Sequence, residues 1–436
     1  MGHGRWGVDG FDGQVDRWVR RETDAGDVSF GDLVRRLPGV DPGVVVDALR
    51  RGSTAGWIPP IRAEGLIAQS GGDTPPGISS LARDGLPVPH PLDFDWRFSG
   101  EAVDQICGEA ALLSRHRGHV GVVGAPTVAL ELARSGGHER IVVFDINPGV
   151  VAALRRLGDA VLAVRSDVLT DKPPRARLDV VVTDPPWYFD ELCSSLRFCR
   201  ATCRSGGFVL ASIPPLGTRP GIAEERARLL EFSGRIGLEL VGIDPARLTY
   251  RSPPFEQNAL RRAGLTGTPV DWRRGDLATF VRRVSLNPHQ PKFGTPTRAG
   301  AGWSEVAFSA MRVRVRPKRA GGFTDPRLMS IVEGDVFPTV SRRDPRRELA
   351  GVWTSGNRVY GCTGSDILLA VAEGLSSGVA PRSRVERRLG RPLSPPEAEM
   401  TIEAAAQLTR LVGVERRELR AYAGGIPENR RRVFAP

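Results

Sequence analysis

The sequence predicts an α/β fold built on a doubly wound, mostly parallel sheet. Short apolar runs recur at residues 119–123, 140–144, 161–164, 178–182 and 207–213. They are rich in Val, Ile and Phe and show no polar alternation, as expected of parallel strands covered on both faces. Helical patterns lie between these runs, for example at 127–135 and 149–157. Strand–helix alternation at this spacing indicates right-handed crossovers and therefore a doubly wound sheet.

The first segment, residues 1–58, is predicted to be a winged-helix-like domain. Ser29 is placed to cap one helix, and Asp41, followed by Pro42, to cap a second. Residues 56–58 are predicted to begin a β-wing. The pattern resembles a winged helix-turn-helix, but two helices joined by a turn are common. Binding in a DNA groove and a plain packing or dimerisation role therefore both remain open.

Three further segments follow from composition. Residues 59–95 are rich in Pro and Gly and are predicted to be a linker, with His90 on a surface loop. Residues 96–318 form the predicted core, in which strands at 238–243 and 304–315 close the sheet on one edge. Residues 319–436 form a basic α+β extension at the C-terminus.

The charge of the 436-residue chain is +11, and most of the excess lies near its C-terminus. Residues 301–436 contain 23 basic and 15 acidic residues. Such a surface attracts nucleic acid or another anion. However, 58 of the 61 basic residues are arginine, so a solvated arginine-rich surface explains the excess equally well.

Composition also indicates which cellular location, disulfide content and metal binding to expect. No apolar stretch reaches the length of a membrane helix and no signal pattern opens the chain, so we expect a cytoplasmic protein without membrane contact. Five cysteines do not suggest a disulfide framework. Cys193, Cys199 and Cys203 lack zinc-ligand spacing and are predicted to pack on a helix, so we expect no metal.

The strand ends carry the candidate cofactor site, because ligands of open parallel sheets bind beyond the carboxyl ends of the strands. A glycine turn follows the first strand, an acidic residue ends the second, and Ser-Asp follows the third. Such a turn admits a ligand close to the backbone, and the two acidic residues suit ribose hydroxyls and an adenine amino group. The candidate cofactor-binding residues are Gly121, Gly124, Thr127, Asp145, Ile146, Ser166 and Asp167. The full G-x-G-x-x-G fingerprint is missing, which argues against a nicotinamide cofactor.

The fourth strand ends in Asp-Pro-Pro-Trp-Tyr, which resembles motif IV of amino-directed S-adenosylmethionine methyltransferases. A carboxylate here accepts the hydrogens of an amine nucleophile, orients its lone pair and stabilises the developing positive charge. The prolines hold an extended turn, and the aromatic rings offer a face for stacking or for a cation. The candidate catalytic residues are Asp184, Pro185, Trp187 and Tyr188.

Across roughly residues 28–260 the chain also resembles the branched-chain polyamine synthases (bis-aminopropyl-spermidine synthases). The matching positions are 144–147, 166–167 and 182–186. The resemblance implies a Rossmann-like class I core behind a winged-helix-like domain, and aminopropyl transfer from decarboxylated S-adenosylmethionine to a polyamine. That family has acidic residues after its first glycine, whereas this chain has Gly124-Ala125-Pro126-Thr127. Whether the donor is intact or decarboxylated therefore stays open, and Asp190 and Glu191 are left to bind the amine acceptor.

Three functions remain in view. We expect transfer of an alkyl group, aminopropyl or methyl, from an S-adenosylmethionine-type donor to an amine nitrogen. The first alternative is an amino-methyltransferase acting on adenine N6 or cytosine N4 of nucleic acid, and the second is a non-catalytic nucleic-acid-binding regulator. In the nucleic-acid case the arginines at 342, 343, 346 and 347 would contact phosphate; otherwise they form a salt-bridged surface. A homodimer is left open.

Overall fold

The computed structural model describes residues 8–72, 85–115, 118–174, 177–283, 302–308, 311–318 and 321–423. The helices in these ranges are α1 (Val8–Asp24), α2 (Phe30–Arg36), α3 (Pro42–Thr54), α4 (Pro60–Ser70), α5 (Gly100–Leu113), α6 (Pro126–Ser135), α7 (Pro148–Arg155), α8 (Phe189–Thr202), α9 (Ile222–Arg235), α10 (Pro254–Arg262), α11 (Ser365–Ser377), α12 (Pro381–Leu389) and α13 (Pro395–Ala423). The strands are β1 (Arg97–Phe98), β2 (His119–Val123), β3 (Arg140–Asp145), β4 (Val161–Arg165), β5 (Leu178–Thr183), β6 (Cys203–Ile213), β7 (Leu238–Arg251), β8 (Arg274–Arg282), β9 (Ser304–Phe308), β10 (Met311–Val315), β11 (Leu328–Ser330), β12 (Val352–Thr354) and β13 (Val359–Cys362).

The core is an eight-stranded sheet in the order β1-β7-β8-β6-β5-β2-β3-β4. Strands β2 to β6 pair in parallel, whereas β8 runs antiparallel to both β6 and β7. The order reverses between β2 and β5, which makes their carboxyl ends the topological switch point. The predicted fold class, α/β with a Rossmann-like, doubly wound and mostly parallel sheet, is confirmed.

Helices cover both faces of this sheet and explain its apolar strands. Residues of α5, α6 and α7 pack with buried positions of β2 and β3 on one face. Residues of α8 and α9 pack on the other face with β6 and β8. Local signals set where these helices begin: Ser99 accepts from the Ala102 amide at 3.2 Å, and Asn147 accepts from the Gly149 amide at 2.9 Å. Among the helices of the described residues, none has the length and apolar character needed to span a membrane.

Within the described residues 8–72, the N-terminal segment consists of helices and the loops that join them. Ser29 and Asp41 cap α2 and α3 as predicted. The predicted β-wing at 56–58 is wrong, because these residues form the turn between α3 and α4. The start of the predicted linker is also wrong: α4 occupies it and buries Ala63 and Leu66 in the same core as Leu49. Apolar burial outweighs the Pro59-Pro60 signal, since proline is well tolerated at a helix start.

The end of the predicted linker is ordered as well, while its residues 73–84 lie outside the described residues. Leu92 packs in one buried cluster with Phe337 and Trp353 of the C-terminal segment. The prediction of a surface position for His90 is wrong, because its side chain is fully buried. His90 Nδ1 accepts from the Leu92 amide at 3.2 Å, and Nε2 lies 3.2 Å from the Trp353 carbonyl oxygen. Burial lowers the pKa of His90 well below its usual value.

Residues 304–315 do not close the large sheet, which corrects the boundary predicted at residue 318. Strands β9 and β10 belong to a second, antiparallel sheet with the order β11-β13-β12-β10-β9. Helices α11, α12 and α13 pack against this sheet and form its own apolar core. Alternating burial in these strands fits either sheet, so sequence periodicity alone did not assign them.

Gly121 lies inside β2 and is needed for packing. A Cβ there would lie 2.5 Å from Leu178 Cδ1 and 3.3 Å from Val181 Cγ2. We therefore expect Gly121→Ala to lower the free energy of unfolding by about 1–3 kcal/mol, because the sheet must shift to accept the methyl group.

Chemical denaturation measures this change, with Gly108→Ala as the matched control. Gly108 is exposed within α5, and a Cβ there meets nothing within 4 Å. Alanine should raise stability there by about 0.5–1 kcal/mol. Equal effects of the two substitutions would contradict the packing account of Gly121.

Candidate active site

A cavity of about 350 Å³ lies at the switch point, beyond the carboxyl ends of β2, β3, β4 and β5. It brings together eight of the residues singled out from the sequence. They are Gly124, Asp145, Ile146, Ser166, Asp167, Asp184, Pro185 and Glu191. Residues from four strand ends thus face one space, as the parallel topology requires.

Five other candidates lie outside the lining of this cavity. Gly121 is buried within β2, and Thr127 lies in the first turn of α6 with no partner for its Oγ1 among the described residues. Trp187 packs edge-on against Tyr250. Tyr188 precedes α8 and Asp190 lies in its first turn. None of these five residues lines the cavity in this structure.

Asp145 ends β3 and is half-buried at the cavity wall. Its Oδ1 accepts from the Asn147 amide at 2.8 Å. Burial raises the pKa of Asp145 to about 7, with the carboxylates of Asp95 and Asp93 adding to the increase. A carboxyl group with a raised pKa gains from any ligand that offers it hydroxyl donors or positive charge, because such partners favour the ionised form.

Asp184 follows β5 and is held by a chain of side-chain hydrogen bonds. The Tyr250 hydroxyl donates to Asp184 Oδ1 at 2.6 Å. Ser212 Oγ lies 2.6 Å from the Tyr250 hydroxyl and accepts from Trp187 Nε1 at 3.0 Å. Trp187 therefore supports the carboxylate through Ser212 and Tyr250, although the sequence suggested a role as a stacking face.

The electrostatics of Asp184 match its place at the cavity. Burial raises the pKa of Asp184 to about 7, although the hydrogen bonds from Tyr250 and Ser212 act in the opposite direction. Burial also raises the pKa of Tyr250 well above its usual value, so its hydroxyl stays a donor at neutral pH. Asp184 can thus either hold a proton or accept one near neutrality.

The glycine turn brings β2 close to Asp184. Gly124 has φ +66°, a conformation that favours glycine, and its α-carbon faces the Asp184 carbonyl oxygen. The Gly124 amide donates to the Phe144 carbonyl at 3.1 Å, and the Asp184 amide donates to the Val123 carbonyl at 3.2 Å. The ends of β2, β3 and β5 are therefore tied together by backbone hydrogen bonds.

Part of the lining comes from segments that sequence reasoning left out. Residues 92–95 and three residues of the C-terminal segment, Trp303, Glu305 and Arg314, also face the cavity. Asp93 links the two, since it pairs with Arg312 at 2.6 Å and with Arg314 at 2.5 Å. Both arginines also pair with Glu305, and Arg312 is 97% buried. This charge network docks the second sheet on the cavity rim.

The network reaches the side of the cavity formed by Asp145. Asp93 Oδ2 also accepts from Asn147 Nδ2 at 3.1 Å, and Asn147 caps α7 directly after Asp145. A buried ionic network is held only when its members are fully paired. The C-terminal sheet therefore helps to position the loop that carries Asp145.

The arginine cluster at 342–347 is engaged within the chain. Arg342 lies 3.6 Å over the Tyr188 ring and pairs with Glu191 at 3.3 Å. Arg343 pairs with Glu225 and Arg346 with Asp344. Arg347 lies 4.3 Å over the Trp353 ring, and burial lowers its pKa to about 10. These contacts correspond to the salt-bridged alternative left open by the sequence.

The cysteines pack in the core. Cys193, Cys199 and Cys203 are fully buried, and burial raises the pKa of each thiol to about 12. Cys203 opens β6 and does not continue α8, which corrects the helical placement. Within the residues that the structure describes, no group of three or more His, Cys, Asp or Glu is arranged to hold a metal ion.

Fold and cavity together define a doubly wound α/β core with a cavity at its switch point. No protein-family model matches the chain, and no curated protein matches it. Among solved structures, the chain is similar to the branched-chain polyamine synthase of Thermus thermophilus in complex with N4-aminopropylspermidine and 5′-methylthioadenosine. Identity is 15%, the TM-score is 0.48, and the match covers 66% of this chain and 92% of that one.

Two further structures show the same kind of similarity. A mutein of the Thermus enzyme with the same ligands shares 16% identity at a TM-score of 0.47, covering 67% of this chain and 99% of that one. The N-methyltransferase NodS from Bradyrhizobium japonicum shares 14% identity at a TM-score of 0.29, covering 43% of this chain and 99% of that one.

The raised pKa of Asp184 predicts a pH-dependent stability. The folded carboxyl titrates near 7 and the unfolded one near 4, so the folded state binds the extra proton between these values. Stability contributed by this group is present below about pH 4 and is lost as pH rises to about 7. Relative to the parent, Asp184→Asn should gain about 1–2 kcal/mol of unfolding free energy between pH 5 and pH 8, a figure reduced for partial exposure.

Urea denaturation of both proteins across this pH range measures the difference. Asp159→Asn, at an exposed carboxyl after α7, provides the control and should show no such gain. A constant difference between Asp184→Asn and the parent would mean that Asp184 is already ionised at pH 5.

Proposed function

We propose that this protein transfers an alkyl group from an S-adenosylmethionine-type sulfonium donor to a nitrogen of a small cationic amine. One observation carries the proposal: Asp184, with Oδ1 held by Tyr250, faces the same cavity as Asp145 and Asp167. An amine-orienting carboxylate and two groups suited to a nucleoside therefore share one site. A non-catalytic protein has no physical need for this combination.

The residues at the strand ends fit the nucleoside of such a donor. Asp145 is placed to accept from ribose hydroxyls, and its raised pKa means that it gains from them. Asp167 is placed to accept from an adenine amino group, and its loop is already shaped by the Leu169 amide, which donates to Asp167 Oδ1 at 3.1 Å. Gly124 leaves room for close approach to the backbone. When bound, the donor supplies an electrophilic carbon on a positively charged sulfur.

Asp184 orients the amine, stabilises its developing charge and takes up its proton. The Asp184 oxygen that Tyr250 does not hold accepts an N–H of the amine and aims the lone pair at the donor carbon. As the nitrogen–carbon bond forms and the carbon–sulfur bond breaks, the carboxylate stabilises the charge that develops on nitrogen. A pKa near 7 allows Asp184 to take the proton that the amine then loses, and the donor leaves as a neutral thioether.

The charge of the cavity supports a cationic acceptor and a donor without a carboxylate. Its lining includes seven carboxyl groups, from Asp93, Asp95, Asp145, Asp167, Asp184, Glu191 and Glu305, against the arginines 165 and 314. Four of these carboxyl groups are paired with arginines: Asp93 and Glu305 with Arg312 and Arg314, Asp95 with Arg97, and Glu191 with Arg342. Asp145, Asp167 and Asp184 also line the cavity and outnumber Arg165, and an intact donor would add its own carboxylate to them, so the lining favours decarboxylated S-adenosylmethionine. Aminopropyl transfer is therefore our first choice and methyl transfer the second.

The alternative acceptor, a base in nucleic acid, has less support. The Trp187 ring packs on Tyr250 rather than on the cavity, so it is not placed to stack a base. The arginines at 342–347 are engaged with carboxylates and aromatic rings of the same chain. A nucleic-acid acceptor would have to exchange these contacts for phosphate.

A transfer assay tests the proposal. Purified protein is incubated with spermidine and either decarboxylated or intact S-adenosylmethionine, and products are identified by mass spectrometry. We expect alkylated spermidine with release of methylthioadenosine. Alkylation only of added DNA or RNA, with binding that falls steeply as salt rises, would replace the small-amine acceptor by nucleic acid. No transfer to any amine would contradict the proposed function.

Two substitutions should separate binding from chemistry. Asp145→Ala should weaken binding of methylthioadenosine by about 1.5–3 kcal/mol, because the ribose hydroxyls lose a charged acceptor. Asp184→Asn should bind methylthioadenosine like the parent but turn over about 100-fold more slowly, because an amide cannot stabilise the developing charge.

Calorimetry and steady-state kinetics measure the two effects, with Asp159→Asn as a control that should change neither. Parent-like turnover in Asp184→Asn would make this carboxylate structural. Unchanged nucleoside affinity in Asp145→Ala would place the nucleoside elsewhere.

A further inference from the structure

Arg342 contacts two groups that can each bind a cation, the ring of Tyr188 and the carboxylate of Glu191. The guanidinium carbon of Arg342 lies 3.6 Å from the centroid of the Tyr188 ring, well within the range of a cation–π interaction. Its Nη1 lies 3.3 Å from Glu191 Oε1. Glu191 is 93% buried and also lines the cavity. An aromatic face beside a buried carboxylate is suitable for binding an ammonium group as well as an arginine.

We propose that the Tyr188 ring and Glu191 form the subsite for a positively charged group of the acceptor, and that Arg342 fills this subsite until the acceptor displaces it. The proposal rests on the proposed function, since it assigns the distal charge of the amine whose reacting nitrogen meets Asp184. When no acceptor is present, the positive charge of Arg342 compensates the negative charge of the buried Glu191 carboxylate.

The segment around Arg342 has no regular secondary structure. Residues 338–344 form only bends and a turn, with no helix or strand. The segment is held at both ends: the Asn357 side chain donates to the Phe337 carbonyl at 2.8 Å, and Asp344 caps the 3₁₀ turn Pro345–Leu349. Between these anchors, the Arg342 amide donates to the Tyr188 hydroxyl at 3.3 Å. Displacement of Arg342 breaks its own contacts with Tyr188 and Glu191. Neighbouring contacts, from Arg343 to Glu225 and from the Asn357 and Arg347 side chains to backbone carbonyls, also hold the segment.

The edge of the subsite continues into the cavity. Phe94 lines the cavity and packs edge-on against Tyr188, with ring centroids 5.7 Å apart. Arg219 lies near the same ring, at 5.8 Å, and pairs with Glu225. Phe94 and Glu191 therefore connect the cavity to the Tyr188 ring, and in the proposal the distal charge of the amine competes with Arg342 there.

The test compares Arg342→Gln with Arg343→Gln, a neighbouring exposed arginine that pairs with Glu225. With spermidine as the probe, Arg342→Gln should lower the acceptor KM about tenfold without changing kcat, because the competing cation is gone. Arg343→Gln should leave both constants unchanged. A higher KM in Arg342→Gln would overturn the proposal, because Arg342 would then be part of the acceptor site.

Hydrogen exchange provides a readout that does not depend on turnover. Adding spermidine and methylthioadenosine to the parent should increase amide exchange in residues 338–344, whereas in Arg342→Gln exchange should be high from the start. Glu191→Gln should also release the segment but lose spermidine binding. Exchange that falls or does not change when spermidine is added to the parent would overturn the subsite.

These outcomes separate the two proposals. Transfer to spermidine without displacement of residues 338–344 would leave the proposed function and remove the subsite. Displacement by spermidine without any transfer would support the subsite and remove the proposed function.

Discussion

The hydrogen bond from Tyr250 to Asp184 is the interaction on which the account of the site depends. It joins the end of β5 to β7, three places away in the sheet, and fixes one oxygen of a carboxylate in a poorly solvated position. Ser212 and Trp187 complete the chain behind it. A carboxylate with one oxygen held by a buried hydroxyl can orient an amine through the other oxygen, whereas an unconstrained side chain would lose that precision. The prolines of the motif and the glycine turn opposite it keep the backbone in this position.

A second constraint comes from outside the large sheet. The C-terminal sheet contributes Trp303, Glu305 and Arg314 to the cavity wall, and its buried Arg312 is paired with Asp93. Breaking such a buried ionic network by removing one partner typically costs about 3–5 kcal/mol. The C-terminal sheet is therefore part of the cavity wall; it adds one carboxyl group and one arginine, so the excess of carboxyl groups in the lining comes from the other residues. A cationic small molecule fits this wall better than a polyanion does.

The sequence predicted the features that depend on residues close together along the chain. The apolar strands, the caps at Ser29 and Asp41, and the strand-end residues Asp145, Ser166, Asp167 and Asp184 follow from local pattern and from the topology of parallel sheets. Tyr250, and the pairing of Arg342 with Glu191, were missed because these residues meet Asp184 and Glu191 from 66 and 151 residues away, and no periodicity reports such contacts. His90 and α4 were misplaced for a related reason: prolines suggested a loop, but burial against distant apolar residues decided the structure. A wider search for Tyr and Ser on the later strands could have proposed Tyr250, but not its partner.

The most direct measurement is a crystal structure of the protein with methylthioadenosine. The account predicts the nucleoside in the switch-point cavity, with the ribose hydroxyls within hydrogen-bond distance of Asp145 and the sulfur directed toward Asp184. The Tyr250–Asp184 hydrogen bond should persist, because it positions the carboxylate and takes no part in holding the nucleoside. A nucleoside bound with its sulfur away from Asp184, or bound outside this cavity, would contradict the claim that Asp184 orients an amine for alkyl transfer.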